Sequence, residues 1–138
     1  MALETPTDIA RLILSLGWLQ QVDQVAFLAA GEYNENHLVT ARGASYVFRI
    51  NHGSQLGLED QISYEYSALR AVRDSRRTPT PYACEPPGAT HPGVLLMSYV
   101  PGRTFSYERD DLKAAETLAR IHGLDPTGSS DARRLLRQ

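Results

Sequence analysis

An α+β fold, an antiparallel sheet with helices packed around it, is predicted by three observations. Between Val25 and Ile50, three runs of strand length are separated by the turn signals Gly31 to Asn36 and Gly43-Ala44-Ser45, the pattern of an antiparallel meander. Helical periodicity appears once before this block and twice after it, at Leu58 to Arg73 and Asp110 to His122. An isolated apolar run, Val94-Leu95-Leu96-Met97, lies between proline-rich sequence and a Pro101-Gly102 turn and reads as a further strand buried on both faces.

The first helix is signalled by Thr5 as N-cap, Pro6 at the first helical position and Asp8 in the first turn. Ile9, Leu12, Ile13 and Leu16 then recur at helical spacing, and Gly17 stops the pattern. Val25 to Ala29 is the first strand, His37 to Ala41 the second, and Tyr46 to Ile50, rich in β-branched and aromatic residues, the third. Alternation along that third strand sends Arg49 to the face opposite Phe48 and Ile50. Asn51 to Leu58 carries the glycines and polar residues of a loop. In the helix that follows, Ile62, Tyr66, Leu69 and Val72 share one face. Pro79, Pro81, Pro86, Pro87 and Pro92 forbid helix and predict an extended, loop-rich passage. The last full helix presents Leu112, Ala115, Leu118, Ala119 and His122 as one stripe, ending before the breaker Asp125-Pro126-Thr127-Gly128. Asp131 to Gln138 begins another helical pattern, about two turns long, too short to be stable alone, so the chain reads as cut off there.

At 138 residues the chain has the length for one core, burying roughly 68% of the surface its unfolded form exposes. With 42% hydrophobic and 22% charged residues, wholesale disorder is excluded. A formal net charge of -2 supplies no basic field, so nucleic acid is not an expected partner. No apolar run approaches the length of a membrane span, and the acids near Met1 do not suit a secretory leader, so neither a membrane nor secretion is expected. The single cysteine, Cys84, has no intrachain partner and fits a reducing, cytoplasmic setting. The four histidines show no ligand spacing with it, so no metal site is expected.

Five segments occur in a telling order: Gly31-Glu32-Tyr33-Asn34-Glu35-Asn36, Val47-Phe48-Arg49-Ile50-Asn51, Tyr64-Glu65-Tyr66-Ser67-Ala68-Leu69, Leu95-Leu96-Met97-Ser98-Tyr99-Val100-Pro101-Gly102, and Leu118-Ala119-Arg120-Ile121-His122. With the order of predicted elements, they resemble the N-terminal lobe of the aminoglycoside phosphotransferase and choline kinase family. The resemblance implies a protein-kinase-like N-lobe over residues 1–100 and the start of a C-lobe over 101–138, truncated before the catalytic lobe. It also implies an ATP site. The turn holding Gly31, Asn34 and Asn36 would offer backbone N–H groups to phosphate oxygens. Arg49 stands where kinases generally carry a lysine that contacts phosphates, and Glu65, 16 residues later, is the matching helix acid. Val47 would contribute to the roof of the purine pocket, and Met97, Ser98, Tyr99 and Val100 resemble the lobe-joining segment whose backbone bonds an adenine edge.

Phosphoryl transfer needs an aspartate base and Asn and Asp ligands for magnesium, which this family carries in its C-lobe. No such loop follows Asp125, so no catalytic residue is assigned. The expectation is the N-terminal, ATP-binding portion of a phosphotransferase acting on a small hydroxylated molecule, inactive as an isolated chain. Its nucleotide site would be weak, with Mg2+ bound only when a C-lobe is supplied. Expected partners are nucleotide and either a separately encoded C-lobe or a second copy of the chain. The alternative is a stand-alone nucleotide-binding or interaction module with a regulatory role.

Overall fold

A computed structural model describes residues 2–124. The chain opens with α1 (Pro6–Ser15), which begins where the sequence places its cap. The Thr5 hydroxyl accepts from the Asp8 N–H at 3.1 Å, and the Asp8 carboxylate accepts from the Thr5 N–H at 3.0 Å. This reciprocal box satisfies two donors that the first turn leaves orphaned.

Three antiparallel strands follow: β1 (Gln24–Ala30), β2 (Asn34–Ala41) and β3 (Ala44–Asn51). The β2–β3 connection is the two-residue turn Arg42-Gly43, both residues at positive φ (49° and 78°), the geometry that matches the twist of flanking strands. An arginine is held there because Asp23 accepts its backbone N–H at 2.8 Å. β2 begins at Asn34, inside the predicted Gly31 to Asn36 turn, so Asn34 and Asn36 are strand residues with defined faces.

The second helix, α2 (Gln61–Val72), starts three residues later than the periodicity suggests. Asp60 takes the cap position and accepts the Ser63 N–H at 3.0 Å. The passage read as loop contains β4 (Pro81–Glu85), paired antiparallel with β5 (Gly93–Ser98). The sheet order β1-β2-β3-β5-β4 makes β4 an edge, where a proline without an N–H is tolerated. The last helix, α3 (Tyr107–His122), begins three residues before the predicted Asp110. Asp125 and the patterns at 126–138 lie outside the described residues.

The sheet separates two apolar layers. On one face Val39, Phe48, Ile50, Val94 and Leu96 pack with Ile9, Leu12 and Ile13 of α1. On the other, Val47, Leu95 and Met97 pack with Ile62 of α2. β5 therefore sends alternate residues into both layers, which is why its sequence is continuously apolar. Among the described residues no helix is long and apolar enough to cross a membrane.

Candidate functional site

Cross-strand register places the chemistry on the α2 face. Asn36 lies opposite Arg49, Leu38 opposite Val47 and Asn34 opposite Asn51, and directly opposed residues of an antiparallel pair share a face. Arg49 thus follows Val47 by the two-residue period and stands under α2, away from Phe48 and Ile50.

Its guanidinium bridges two elements. Nε donates to Asn36 Oδ1 at 2.9 Å and Nη1 donates to Glu65 Oε2 at 2.8 Å. The other Glu65 oxygen accepts from Gln61 Nε2 at 3.3 Å, and Gln61 Oε1 accepts from the Ser54 hydroxyl at 2.7 Å. Ser54 Oγ in turn accepts the N–H groups of Leu56 and Leu58, each at 3.1 Å. A continuous polar chain therefore runs from β2 through β3 and α2 into the loop between β3 and α2. Arg49 and Glu65 are both part-buried, so the pair is shielded more than a surface ion pair.

This chain lines a cleft of about 500 Å³. The turn from Gly31 to Asn34 forms one wall, the loop from Gly53 to Leu56 another, and Asn36, Arg49, Gln61 and Glu65 complete the lining. The turn is pinned from behind, since Tyr33 O accepts the His52 N–H at 2.7 Å and Gly31 N–H donates to Asn34 O at 2.8 Å. Gly53 lets the loop approach closely, since a Cβ there would lie 2.9 Å from the Tyr33 ring and force that side chain to shift.

Of the residues singled out in the sequence, Gly31, Asn34, Asn36, Arg49 and Glu65 meet around this cleft. The others do not line it. Val47 and Met97 are buried in the α2-side core and Tyr99 packs against that core. At the end of β5, the Ser98 N–H donates to Thr80 O at 2.8 Å and the Tyr99 N–H to Ser45 O at 3.3 Å. The Ser98 hydroxyl accepts from the Thr80 N–H at 2.8 Å. Those two backbone donors are thus engaged within the fold, while Val100 just beyond them is exposed. Gln61 and Ser54 of this polar chain, and Asn51, whose Nδ2 donates to Asn34 Oδ1 and Gly53 O beside it, carried no expected site role. Two of the three had a signal: Asn51 follows Arg49 by one strand period, and Gln61 precedes Glu65 by one helical turn. Among the described residues no group of three or more His, Cys, Asp or Glu converges as a metal site.

Residues 24–138 match the family described as "Phosphotransferase enzyme family". No curated protein matches the chain. Among solved structures, spectinomycin phosphotransferase APH(9)-Ia, in complex with ADP and spectinomycin, superimposes with a TM-score of 0.65 at 12% identity. That match covers 90% of this chain and 39% of the other. A thermostable mutant of aminoglycoside phosphotransferase APH(4)-Ia, in a ternary complex with AMP-PNP and hygromycin B, gives a TM-score of 0.62 at 15% identity, covering 86% of this chain and 40% of the other. APH(4)-Ia itself gives 0.62 at 16% identity, with 87% and 40% covered. The chain spans about two fifths of the length of these structures. At such identities the likeness is one of fold: a kinase-like five-stranded antiparallel sheet with helices.

Proposed function

The chain belongs to the phosphotransferase enzyme family, and we propose that it forms the ATP-binding portion of a kinase acting on a small hydroxylated molecule. The observation that carries this reading is Arg49, fixed between Asn36 and Glu65 in the cleft beside the Gly31–Asn34 turn. A guanidinium has five N–H donors, and those not spent on Asn36 and Glu65 remain for phosphate oxygens. Glu65 holds the fork in place, so little conformational entropy is lost when an anion arrives. The ADP and AMP-PNP complexes of the structural neighbours support a nucleotide as the ligand.

In this reading residues 1–100 form the nucleotide-binding lobe and 101–138 open the catalytic lobe of a cytoplasmic enzyme. MgATP supplies the phosphoryl group. In this reading the catalytic base and the metal ligands are supplied by a C-lobe, where the family carries them. The chain alone binds ATP weakly and does not transfer phosphate to aminoglycosides, choline or similar alcohols.

A thermal-shift titration tests the reading. Ligand at about 100 times its dissociation constant adds about 2.7 kcal/mol of stability, so millimolar ATP is expected to raise the melting temperature of the wild type and leave Arg49→Ala unmoved. Equal rises in both proteins, or none in the wild type, would overturn it.

A further inference from the structure

The Arg49 cluster contains a second layer of organisation in its asparagines. Asn51 Nδ2 faces three oxygens: Gly53 O at 2.7 Å, Asn34 Oδ1 at 2.9 Å and Tyr33 O at 3.4 Å. Two of these are backbone carbonyls, which only accept, so the orientation of the Asn51 carboxamide is forced. A forced Asn51 donor forces Asn34 in turn, because only an oxygen can meet it. The same logic applies one register step away. Arg49 has no acceptor, so the Asn36 atom 2.9 Å from its Nε is the oxygen. Both asparagines line the cleft, and with their oxygens occupied each keeps a carboxamide NH2 that takes no partner among the described residues.

We propose that Asn51 is a positioning residue that orients Asn34 donor-outward, so that with Asn36 and Arg49 it makes one wall of the cleft a surface of N–H donors for a phosphate-bearing ligand. The inference deepens the nucleotide reading above and rests on it. Asn51 itself touches no ligand. It acts by consuming the Asn34 oxygen and by tying the turn, at Tyr33 O and Asn34, to the Gly53 end of the opposite loop. Oriented donors in a part-buried site stabilise an anion without reorganising when it binds. Of the two carboxylates lining the cleft, Glu65 accepts from Arg49 and Gln61, and Glu32 is exposed to solvent.

An Asn51→Asp substitution is nearly isosteric and reverses this polarity. A carboxylate repels Gly53 O and Tyr33 O and attracts the Asn34 NH2, turning the Asn34 oxygen toward the cleft. The test uses the 15N-labelled chain, titrated with ADP and separately with inorganic pyrophosphate, reading backbone and side-chain NH2 signals. In the wild type, both ligands are expected to shift the Asn34 and Asn36 NH2 signals. In Asn51→Asp, ADP affinity is expected to fall about tenfold, the effect of losing one hydrogen bond to a charged group. The Asn34 response should vanish while the Asn36 response persists. Asn51→Ala, which frees Asn34 without adding charge, should show a smaller loss and guards against misfolding of the first variant. If the wild type binds ADP but the variants bind equally well, or the Asn34 NH2 does not respond, the inference falls and the nucleotide reading stands. Pyrophosphate binding without ADP binding supports the donor wall and removes the nucleotide reading. If neither ligand binds, both are overturned.

Discussion

Arg49 splits its two contacts between different nitrogens of one rigid plane, Nε to an acceptor on β2 and Nη1 to a carboxylate on α2, which fixes the guanidinium's orientation as a single ammonium would not be fixed. The side chains of Arg49 and Glu65 are 26% and 18% exposed, between a solvated surface pair and a fully buried one. A double-mutant cycle with Arg49→Met and Glu65→Gln, read by urea unfolding, is therefore expected to give a coupling of about 1 kcal/mol. Strictly additive losses would count against the pair as a stabilising unit. Alternation along β3 made the facing of Arg49 legible in the sequence. Its bond to Asn36 was not, because it depends on the β2–β3 register, fixed by a turn in which one of the two positive-φ residues is an arginine. A second ionic device, also invisible to periodicity, ties the first turn of α3 to the residues that precede it. Asp110 accepts from Arg103 Nη1 and Nη2 at 2.8 and 2.6 Å and from the Ser106 N–H at 2.9 Å. These bonds, the Arg103 one foremost, hold its carboxyl below the ordinary 3.8. A depressed folded-state pKa contributes stability above the unfolded value and loses it as pH falls through the folded value. Asp110→Asn is accordingly expected to destabilise the protein at pH 7, with the gap to wild type closing as the pH is taken below 3.8. A gap unchanged down to acid pH would show that the carboxylate charge contributes nothing.

At the scale of elements, β5 decides how closely α2 approaches the sheet. A Cβ on Gly93 would lie 2.8 Å from Ile62 Cγ1, 3.2 Å from Ile62 Cβ and 3.3 Å from Pro87 Cδ. Ile62 is wholly buried, so its β-branched side chain has no room to turn away. Gly93→Ala is expected to cost about 1 to 3 kcal/mol in urea unfolding, the usual range for overpacking a tight core. A neutral effect would mean that α2 rides loosely on the sheet, contrary to the fixed Arg49 to Glu65 geometry. Helix α1 and the apolar run of β5 were readable from sequence because each satisfies a local rule in full, a capping box for one and continuous burial for the other. Strand β4 was not, since prolines speak against a strand unless its position in the sheet is known. Membership of an edge is a property of topology. The start of α2 was misplaced for a similar reason: Leu58 fits the helical spacing, but Asp60 captures the Ser63 N–H and sets the boundary.

For the molecule as a whole, the two apolar layers are filled by α1 and α2, while α3 stands largely apart from both. Leu112 and Leu118 are 75% and 53% exposed, and Ala115 and Ala119 between and beside them are also exposed. The periodic stripe was legible in the sequence. What covers it was not, because periodicity identifies an apolar face without naming its partner. Val100 and Phe105, between β5 and α3, and Tyr107, the first residue of α3, are exposed as well. Contiguous apolar patches beyond a few hundred Å² are uncommon on soluble monomers and mark interfaces or association. If α3, in the segment proposed to open the catalytic lobe, packs this face against the remainder of that lobe, the chain on its own should satisfy it by self-association. Light scattering over a concentration series is expected to show a mass that grows with concentration. Leu112→Lys combined with Leu118→Lys is expected to shift the chain toward monomer, since neither side chain belongs to either buried core and the fold should survive the change. A wild type that stays monomeric at every concentration, with α3 amides protected from hydrogen exchange, would mean that the chain covers this stripe itself and that the proposed lobe interface lies elsewhere.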